Sequence, residues 1–210
     1  MKDVQSVAPL IGAKPTVKLP NGGDMYTVPI IYDPSTKQVI SDSLPIIEYL
    51  EATYPAVPTL IPAGTKGLTR AFIHAVDKQM FSFFPFLIPP TIHVIAEVNR
   101  EYFRVTREGF LKAKLEDVVP KGEDREREWG KVKDTFATWA SWYGDDEGGG
   151  AKKWLSGSEP SYPDLVLAAI CMWIQRVLGE DSVEWKDIKE WNDGIWDRLL
   201  KDCRAYEGGC

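Results

Sequence analysis

The stretch from residue 27 to residue 55 constrains the fold of this chain more than any other part of the sequence. It reads TVPIIYDPSTKQVISDSLPIIEYLEATYP. The segments VPIIYD and KQVI are short and rich in β-branched residues, and the DPST between them supplies turn residues, so the pattern predicts a β-hairpin. After Ile40 the apolar residues change to helical spacing, and Ser41 or Asp42 can cap the helix that they predict. We therefore expect two strands followed at once by a capped helix.

The start of this helix is a candidate ligand site. A helix N-terminus carries N–H groups without intrahelical partners and a partial positive charge, which suits a bound carboxylate. Ser43 adds a hydroxyl donor, and Asp42 adds a carboxylate that can hold an ammonium group. The same residue types are common as ordinary helix caps, so the spacing alone leaves both interpretations open.

Weaker patterns flank this stretch. Residues 1 to 13 predict one short helix that ends at Gly12, and the prolines and glycines of residues 15 to 23 predict a loop. From Leu68 onward, apolar residues at helical spacing predict a long helix that is broken around Pro85, Pro89 and Pro90. We expect the charged run from residue 121 to residue 133 to be a solvated helix face.

Two motifs give the chain a family resemblance. Val28-Pro29 at the start of a strand, followed by Asp42-Ser43 at the start of a helix, resembles the second half of the thioredoxin-like, glutathione-binding domain of glutathione transferases. Further along, SYPDL at residues 161 to 165 resembles the capping box of a central helix in that family's helical domain. The sequence YFRVTRE, residues 102 to 108, is most similar to that of transferases of mushroom-forming fungi.

The resemblance implies an α+β chain that is mostly helical. Residues 1–55 would form a partial thioredoxin-like N-terminal domain, and residues 56–66 a proline-spaced linker. Residues 67–210 would form the all-helical C-terminal domain of the family. Within that domain Ser161 and Asp164 would cap each other's backbone groups, which is a structural role. The family also implies a homodimer.

Glutathione is the cosubstrate that the resemblance implies, with no metal. In the family, the peptide before a cis-proline pairs with the glutathione backbone, so Val28 would supply those groups and Pro29 would follow a cis bond. Asp42 and Ser43 would bind the γ-glutamyl end, and Lys14 or Lys18, in the preceding loop, would meet the glycine carboxylate. For Pro29 the alternative is a proline that only starts an edge strand.

The thiol-activating residue of the family is expected to be absent. In the family a β-α-β unit precedes this region and carries the Ser, Tyr or Cys that addresses the glutathione sulfur, whereas this sequence starts after it. The strand from Val28 to Tyr32 would then present an unpaired apolar edge, covered by a partner subunit, by the folded-back N-terminal segment or by a rearranged sheet. The catalytic residue is therefore unassigned, with Tyr102 and Arg107 on a predicted helix as candidates. Arg104 lies on the same predicted helix, and pairing of Arg104 and Arg107 with Glu101 and Glu108 is the alternative.

An apolar electrophile would need a pocket beside the glutathione site. In the family one long helix lines this pocket, and Phe81, Phe84 and Phe86 are the candidates here. An aromatic stripe at this spacing is also typical of a buried core. The two histidines, His74 and His93, lie in no metal-ligand or triad spacing, so we expect them at the surface.

Composition limits the classes of partner and the cellular compartment that we expect for this chain. The net charge is −6, and the basic residues alternate with acidic ones, so we expect no nucleic-acid partner. No apolar run is long enough to cross a membrane, and the opening residues lack the pattern of a signal peptide, which favours a cytoplasmic protein. Cys171 lies in an apolar segment and is predicted to be buried, whereas Cys210 ends a glycine-rich tail.

Two functions from different classes follow from these patterns. The first is a glutathione transferase, in which the thiolate of bound glutathione attacks an apolar electrophile. The second is a non-catalytic binder of apolar small molecules on the same fold. A specialised biosynthetic enzyme that uses the cleft differently is a third possibility.

Overall fold

A computed structural model describes residues 2–19, 22–55, 59–144 and 152–206. The chain divides into two compact units, Met1–Leu60 and Ile61–Cys210. The division falls inside the linker predicted over residues 56–66. Cys210 and the glycine run at residues 148–150 lie outside the described residues.

The first unit is a small α+β assembly. It contains helix α1 (Val4–Leu10), strands β1 (Val17–Lys18), β2 (Asp24–Met25), β3 (Ile30–Asp33) and β4 (Gln38–Ser41), and helix α2 (Ser43–Thr53). Helix α1 ends before Gly12, whose φ of 80° is the left-handed conformation that the predicted stop requires.

The predicted hairpin and capped helix are confirmed. Strands β3 and β4 are antiparallel, with Ile31 opposite Ile40 and Asp33 opposite Gln38 at the turn. Helix α2 follows β4 directly, and the carboxylate of its N-cap, Asp42, accepts a hydrogen bond from the Ser43 N–H. The period-two and helical patterns agree with the backbone because this segment buries one face of each element against the other.

The loop predicted over residues 15 to 23 is wrong in part. Strands β1 and β2 form a second two-stranded antiparallel sheet within and just after it. Helix α1 is tied to this region, because the Gln5 side chain donates to the Tyr26 carbonyl at 2.7 Å and accepts from the Tyr26 N–H at 3.0 Å. The N-terminal segment thus folds back onto the residues ahead of β3. Within the described part of the chain, β4 alone pairs with β3.

The second unit is helical. Its helices are α3 (Lys66–Gln79), α4 (Phe84–Val94), α5 (Arg100–Leu111), α6 (Leu115–Val118), α7 (Gly122–Ser141), α8 (Tyr162–Leu178), α9 (Val183–Glu190) and α10 (Ile195–Arg204). Most of the run from residue 121 to residue 133 is exposed as predicted, with ion pairs Arg127–Asp124 and Lys131–Glu128 along α7. Trp129 and Val132 in the same run instead pack into the core.

The long helix from Leu68 is broken at a different place from the one predicted. A 3₁₀ turn, Met80–Phe83, separates α3 from α4, and α4 continues through Pro89 and Pro90. Pro85 lies in the first turn of α4, where a missing N–H costs no helical bond. The Thr91 hydroxyl donates to the Leu87 carbonyl at 2.7 Å, which adds a bond in the turn that the two prolines weaken.

Helix α8 is the centre of the second unit. It packs against α3, α4, α9 and α10, and Leu167, Cys171 and Ile174 on it are fully buried. The predicted capping box of Ser161 and Asp164 is present at its start. Burial raises the pKa of the Cys171 thiol well above its usual range, which agrees with the predicted role of a small apolar residue.

None of the helices described combines the length and the apolar composition that a membrane span requires.

Candidate functional site

The backbone of the hairpin brings the two predicted glutathione-binding motifs together. The Val28-Pro29 bond is cis, as predicted. The Asp42 N–H donates to the Pro29 carbonyl at 3.0 Å, one step beyond the last ladder pair of β3 and β4. Residues separated by more than a dozen positions in the sequence are therefore neighbours at one end of the hairpin.

Val28 offers backbone groups that a peptide ligand could use. Its side chain is 64% exposed. Neither its N–H nor its C=O has a hydrogen-bond partner within residues 2–19, 22–55, 59–144 and 152–206. An exposed N–H and C=O on an extended strand can each form one bond with the main chain of a bound peptide.

The start of α2 provides the second half of this end of the hairpin. Asp42 is exposed, and its carboxylate oxygen accepts from the Ser43 N–H at 2.7 Å. Pro45, the third residue of the helix, has no N–H, so the first turn offers the Leu44 N–H as a donor without a partner in the described structure. A negative group bound here gains from the helix dipole, and a positive group gains from the Asp42 carboxylate.

Asp42 holds a backbone conformation that few residues adopt. Its φ is 79° and its ψ is 142°. A side chain other than glycine at such a φ costs on the order of 1–3 kcal/mol and commonly marks a functional constraint. The conformation turns the chain sharply from β4 into α2 and leaves the Asp42 carboxylate at the surface of the hairpin end.

The two loop lysines differ in their surroundings. Lys18 forms an ion pair with Asp24 across the small β1–β2 sheet. Lys14 is exposed and has no ion-pair partner in the described part of the chain. Of the two, Lys14 is the cation that can meet a ligand carboxylate without first losing an internal partner.

Only two of the three phenylalanines predicted to line an apolar pocket, Phe81 and Phe84, lie together. Phe81 is 61% exposed, and its ring centroid lies 5.1 Å from that of Phe84. Phe86 is only 4% exposed and packs in the core against Trp129, so its place in the trio is corrected. Phe110 on α5 takes that place, because it is 56% exposed and its ring lies 6.0 Å from Phe84.

The candidate residues of the YFRVTRE stretch lie on helix α5, as predicted. Arg104 forms ion pairs with Glu108 and with Glu116, both at 2.8 Å. The hydrogen bonds to Glu116 and Glu108 raise the pKa of the Arg104 guanidinium above its usual value. These ion pairs keep Arg104 at the surface of α5. Arg107 instead lies over the Phe103 ring at 5.1 Å, and no carboxylate pairs with it among the described residues. Tyr102 is half-buried, and its carbonyl accepts from the Thr106 hydroxyl at 2.8 Å.

Sequence comparison assigns both units to one family. The profile of the glutathione S-transferase C-terminal domain matches residues 67–206, and that of the N-terminal domain matches residues 7–59. The chain belongs to the glutathione S-transferase family.

Solved glutathione transferases share this fold along the whole chain. A glutathione S-transferase of Ceriporiopsis subvermispora, solved in complex with glutathione, is 38% identical, with a TM-score of 0.92 over 100% of this chain and 82% of that one. GSTFuA3 of Phanerochaete chrysosporium is 33% identical, with a TM-score of 0.90 and the same coverage. The glutathione S-transferase-like protein ustS of Aspergillus flavus is 29% identical over 90% of this chain and 70% of its own length. The fold is that of a glutathione transferase: a short strand-containing N-terminal region and a mostly helical remainder.

One residue that positions this candidate site was not identified from the sequence. Asp33, at the end of β3, is buried and accepts hydrogen bonds from Tyr49 Oη at 2.6 Å and Tyr54 Oη at 2.7 Å. It also accepts from the Ser35 N–H at 2.8 Å. Asp33 therefore fixes the C-terminal half of α2 to the hairpin turn, and so sets the direction of the helix that starts at Asp42. An aspartate in a turn, followed by one tyrosine in the next helix and another at the end of that helix, was the available signal.

We expect the stability contributed by Asp33 to depend on pH. The hydrogen bonds from Tyr49 and Tyr54 lower the pKa of its carboxyl to about 2, from a usual value of about 3.9. Because the folded-state pKa is depressed, the contribution is complete above pH of about 4 and is lost as the pH falls through about 2. Urea unfolding followed by circular dichroism should show wild type exceeding Asp33→Asn at pH 5, with the gap closing toward pH 2. A gap that stays constant across this range would contradict the prediction, and Asp3→Asn, an exposed carboxylate in the same unit, is the control.

Proposed function

We propose that this chain binds glutathione at the hairpin end of its first unit and transfers the tripeptide to an apolar electrophile. The observation that carries the proposal is the hydrogen bond from the Asp42 N–H to the Pro29 carbonyl, which joins the exposed Val28 backbone to the start of α2. Membership of the glutathione S-transferase family supports it, as does the glutathione bound to the Ceriporiopsis relative.

Each part of glutathione has a complementary group in this arrangement. The Val28 N–H and C=O bond to the cysteinyl backbone of the tripeptide. The Leu44 N–H and the Ser43 hydroxyl bond to the γ-glutamyl carboxylate, and the Asp42 carboxylate holds the γ-glutamyl ammonium group. Lys14 pairs with the glycine carboxylate. The ligand is a zwitterion with two carboxylates, so a site that offers both a helix N-terminus and an acidic side chain suits it.

The electrophile is proposed to contact the aromatic cluster of the second unit. Phe81, Phe84 and Phe110 expose ring surface, and an apolar electrophile gains by burying it at roughly 25 cal/mol per Å². The thiolate needs a donor that lowers its pKa. Arg107 is preferred over Arg104 for this role because its charge is not already matched by carboxylates, and Tyr102 offers a phenolic hydroxyl as the alternative. We further propose that the protein is a homodimer in the cytoplasm of a fungus.

Substitution of Ser43 tests glutathione binding and turnover together. We expect Ser43→Ala to lower kcat/KM for glutathione about tenfold, because one hydrogen bond to a charged group contributes roughly 1.5–3 kcal/mol. The measurement is the conjugation of glutathione with 1-chloro-2,4-dinitrobenzene, together with calorimetric titration of glutathione. Ser6→Ala is the matched control, since Ser6 is an exposed serine of the same unit whose hydroxyl donates to the Asp3 carbonyl.

The same assays separate the transferase from a non-catalytic binder. If wild type binds glutathione and an apolar dye but shows no conjugation with any electrophile tried, the binder replaces the transferase. If calorimetry detects no glutathione binding at millimolar concentration, the proposed site itself is wrong.

A further inference from the structure

A cavity in the second unit is lined by none of the residues that the proposed function assigns to glutathione or to the electrophile. It has a volume of about 340 Å³ and is lined by residues of α4, α5, α6, α7, the end of α8 and the start of α9. This volume is at the lower end of the range of roughly 300–1,000 Å³ found for small-molecule sites. Two residues of the second, smaller hydrophobic cluster of the unit, Ile92 and Leu115, form part of its apolar floor.

The cavity combines an apolar interior with donors on one side. Phe86, Ile92, Leu115 and Leu178 provide the apolar surface. Both Arg104 and Arg125 line it, each beside a glutamate. An apolar cavity with a few charged groups at its wall selects a ligand with an apolar body and one polar end.

Arg125 is the donor that a ligand can use. One of its nitrogens pairs with Glu184, and the guanidinium plane lies over the Phe86 ring at 5.2 Å. The remaining N–H groups of its five have no partner within the described residues. The charge of Arg104 is already matched by two carboxylates, since one of its nitrogens pairs with both Glu108 and Glu116. A planar carboxylate can therefore bond side-on to Arg125 while an aromatic body lies on the apolar floor.

The ion pair of Arg125 and Glu184 also borders a second cavity. That cavity, likewise about 340 Å³, is lined by Arg125, Glu184 and Trp129. Arg125 therefore presents donors toward two neighbouring spaces, and Trp129 contacts the edge of Phe86 at 5.0 Å. Glu184 repels an anionic ligand that binds Arg125, because its carboxylate is negatively charged and already pairs with that guanidinium.

We propose that this cavity is a binding site for a small aromatic carboxylic acid, with Arg125 as the anchor of the carboxylate and Glu184 as its competitor. The site goes beyond the proposed transferase function and uses none of its residues.

The probe is 1-naphthoate, titrated calorimetrically into the full chain, with neutral 1-naphthalenemethanol in parallel. We expect one naphthoate per chain, about tenfold weaker binding in Arg125→Gln and severalfold tighter binding in Glu184→Gln. The neutral alcohol should respond to neither change by more than twofold. Val119→Trp, which fills the cavity from its half-exposed rim, should abolish binding of both probes.

Arg127→Gln is the control for a general charge effect, because Arg127 lies two residues further along α7 and pairs with Asp124 in solvent. The opposite signs expected for Arg125→Gln and Glu184→Gln exclude misfolding as a common cause. Absence of naphthoate binding in wild type overturns the proposal. So does unchanged affinity in Val119→Trp, or an equal loss in Arg127→Gln and Arg125→Gln.

Discussion

Asp164→Ala should destabilise the helical unit by about 3 kcal/mol, the largest loss of stability that we expect from a single substitution here. Asp164 is fully buried and accepts from the Ser161 N–H at 2.8 Å, the Ser161 hydroxyl at 2.6 Å and the Leu155 N–H at 2.9 Å. Alanine leaves two buried donors on Ser161 and the partly buried Leu155 N–H without this acceptor. Each such donor costs roughly 1–3 kcal/mol, though the costs do not add fully.

Tryptophan fluorescence is the direct measurement of this loss. All eight tryptophans of the chain lie between residues 129 and 196, so their emission reports on the second unit alone. Ser182→Ala is the matched control, because Ser182 caps α9 at a less buried position by accepting from the Trp185 N–H at 3.1 Å. We expect about 1 kcal/mol there. If Asp164→Ala costs no more than Ser182→Ala in urea unfolding, the three buried bonds do not stabilise the start of α8.

The fold could be predicted wherever the pattern and the local chemistry point the same way. The hairpin, the Asp42 cap and the capping box of Ser161 and Asp164 each depend on residues within a few positions of one another. Such interactions are visible in a sequence, because turn types, strand alternation and caps are local properties. The resemblance to glutathione transferases rested on these same local motifs.

The features that were missed depend on contacts between distant parts of the chain. Phe86 and Phe110 could not be told apart as core and surface, because the packing of Trp129 against Phe86 joins residues far apart in sequence. The break at Met80–Phe83 was placed at the prolines instead, since nothing local shows that α4 tolerates Pro89 and Pro90. Asp33 was read as a turn residue only, because its partners Tyr49 and Tyr54 lie on helix α2 and just after its end.

Asp42→Ala and Asp42→Gly should each weaken glutathione binding by about 10- to 100-fold, while differing in stability. Both remove the carboxylate proposed to hold the γ-glutamyl ammonium group, and a charge-assisted hydrogen bond of roughly 1.5–3 kcal/mol accounts for that range. Both also remove the bond from the Ser43 N–H to the Asp42 carboxylate. They differ at the backbone: alanine keeps the cost of a φ of 79°, whereas glycine adopts it freely.

We therefore expect Asp42→Gly to exceed Asp42→Ala in stability by on the order of 1 kcal/mol, although the two bind glutathione equally poorly. Calorimetric titration gives the affinity, and urea unfolding followed by circular dichroism gives the stability. Lys37→Gly is the control, because Lys37 is another non-glycine residue of the first unit with a positive φ, 58°, at a position far along the hairpin from Asp42. It should gain stability without loss of glutathione affinity. Wild-type affinity in Asp42→Gly would mean that the carboxylate does not contact the ligand and that the unusual backbone of Asp42 serves the turn from β4 into α2 alone.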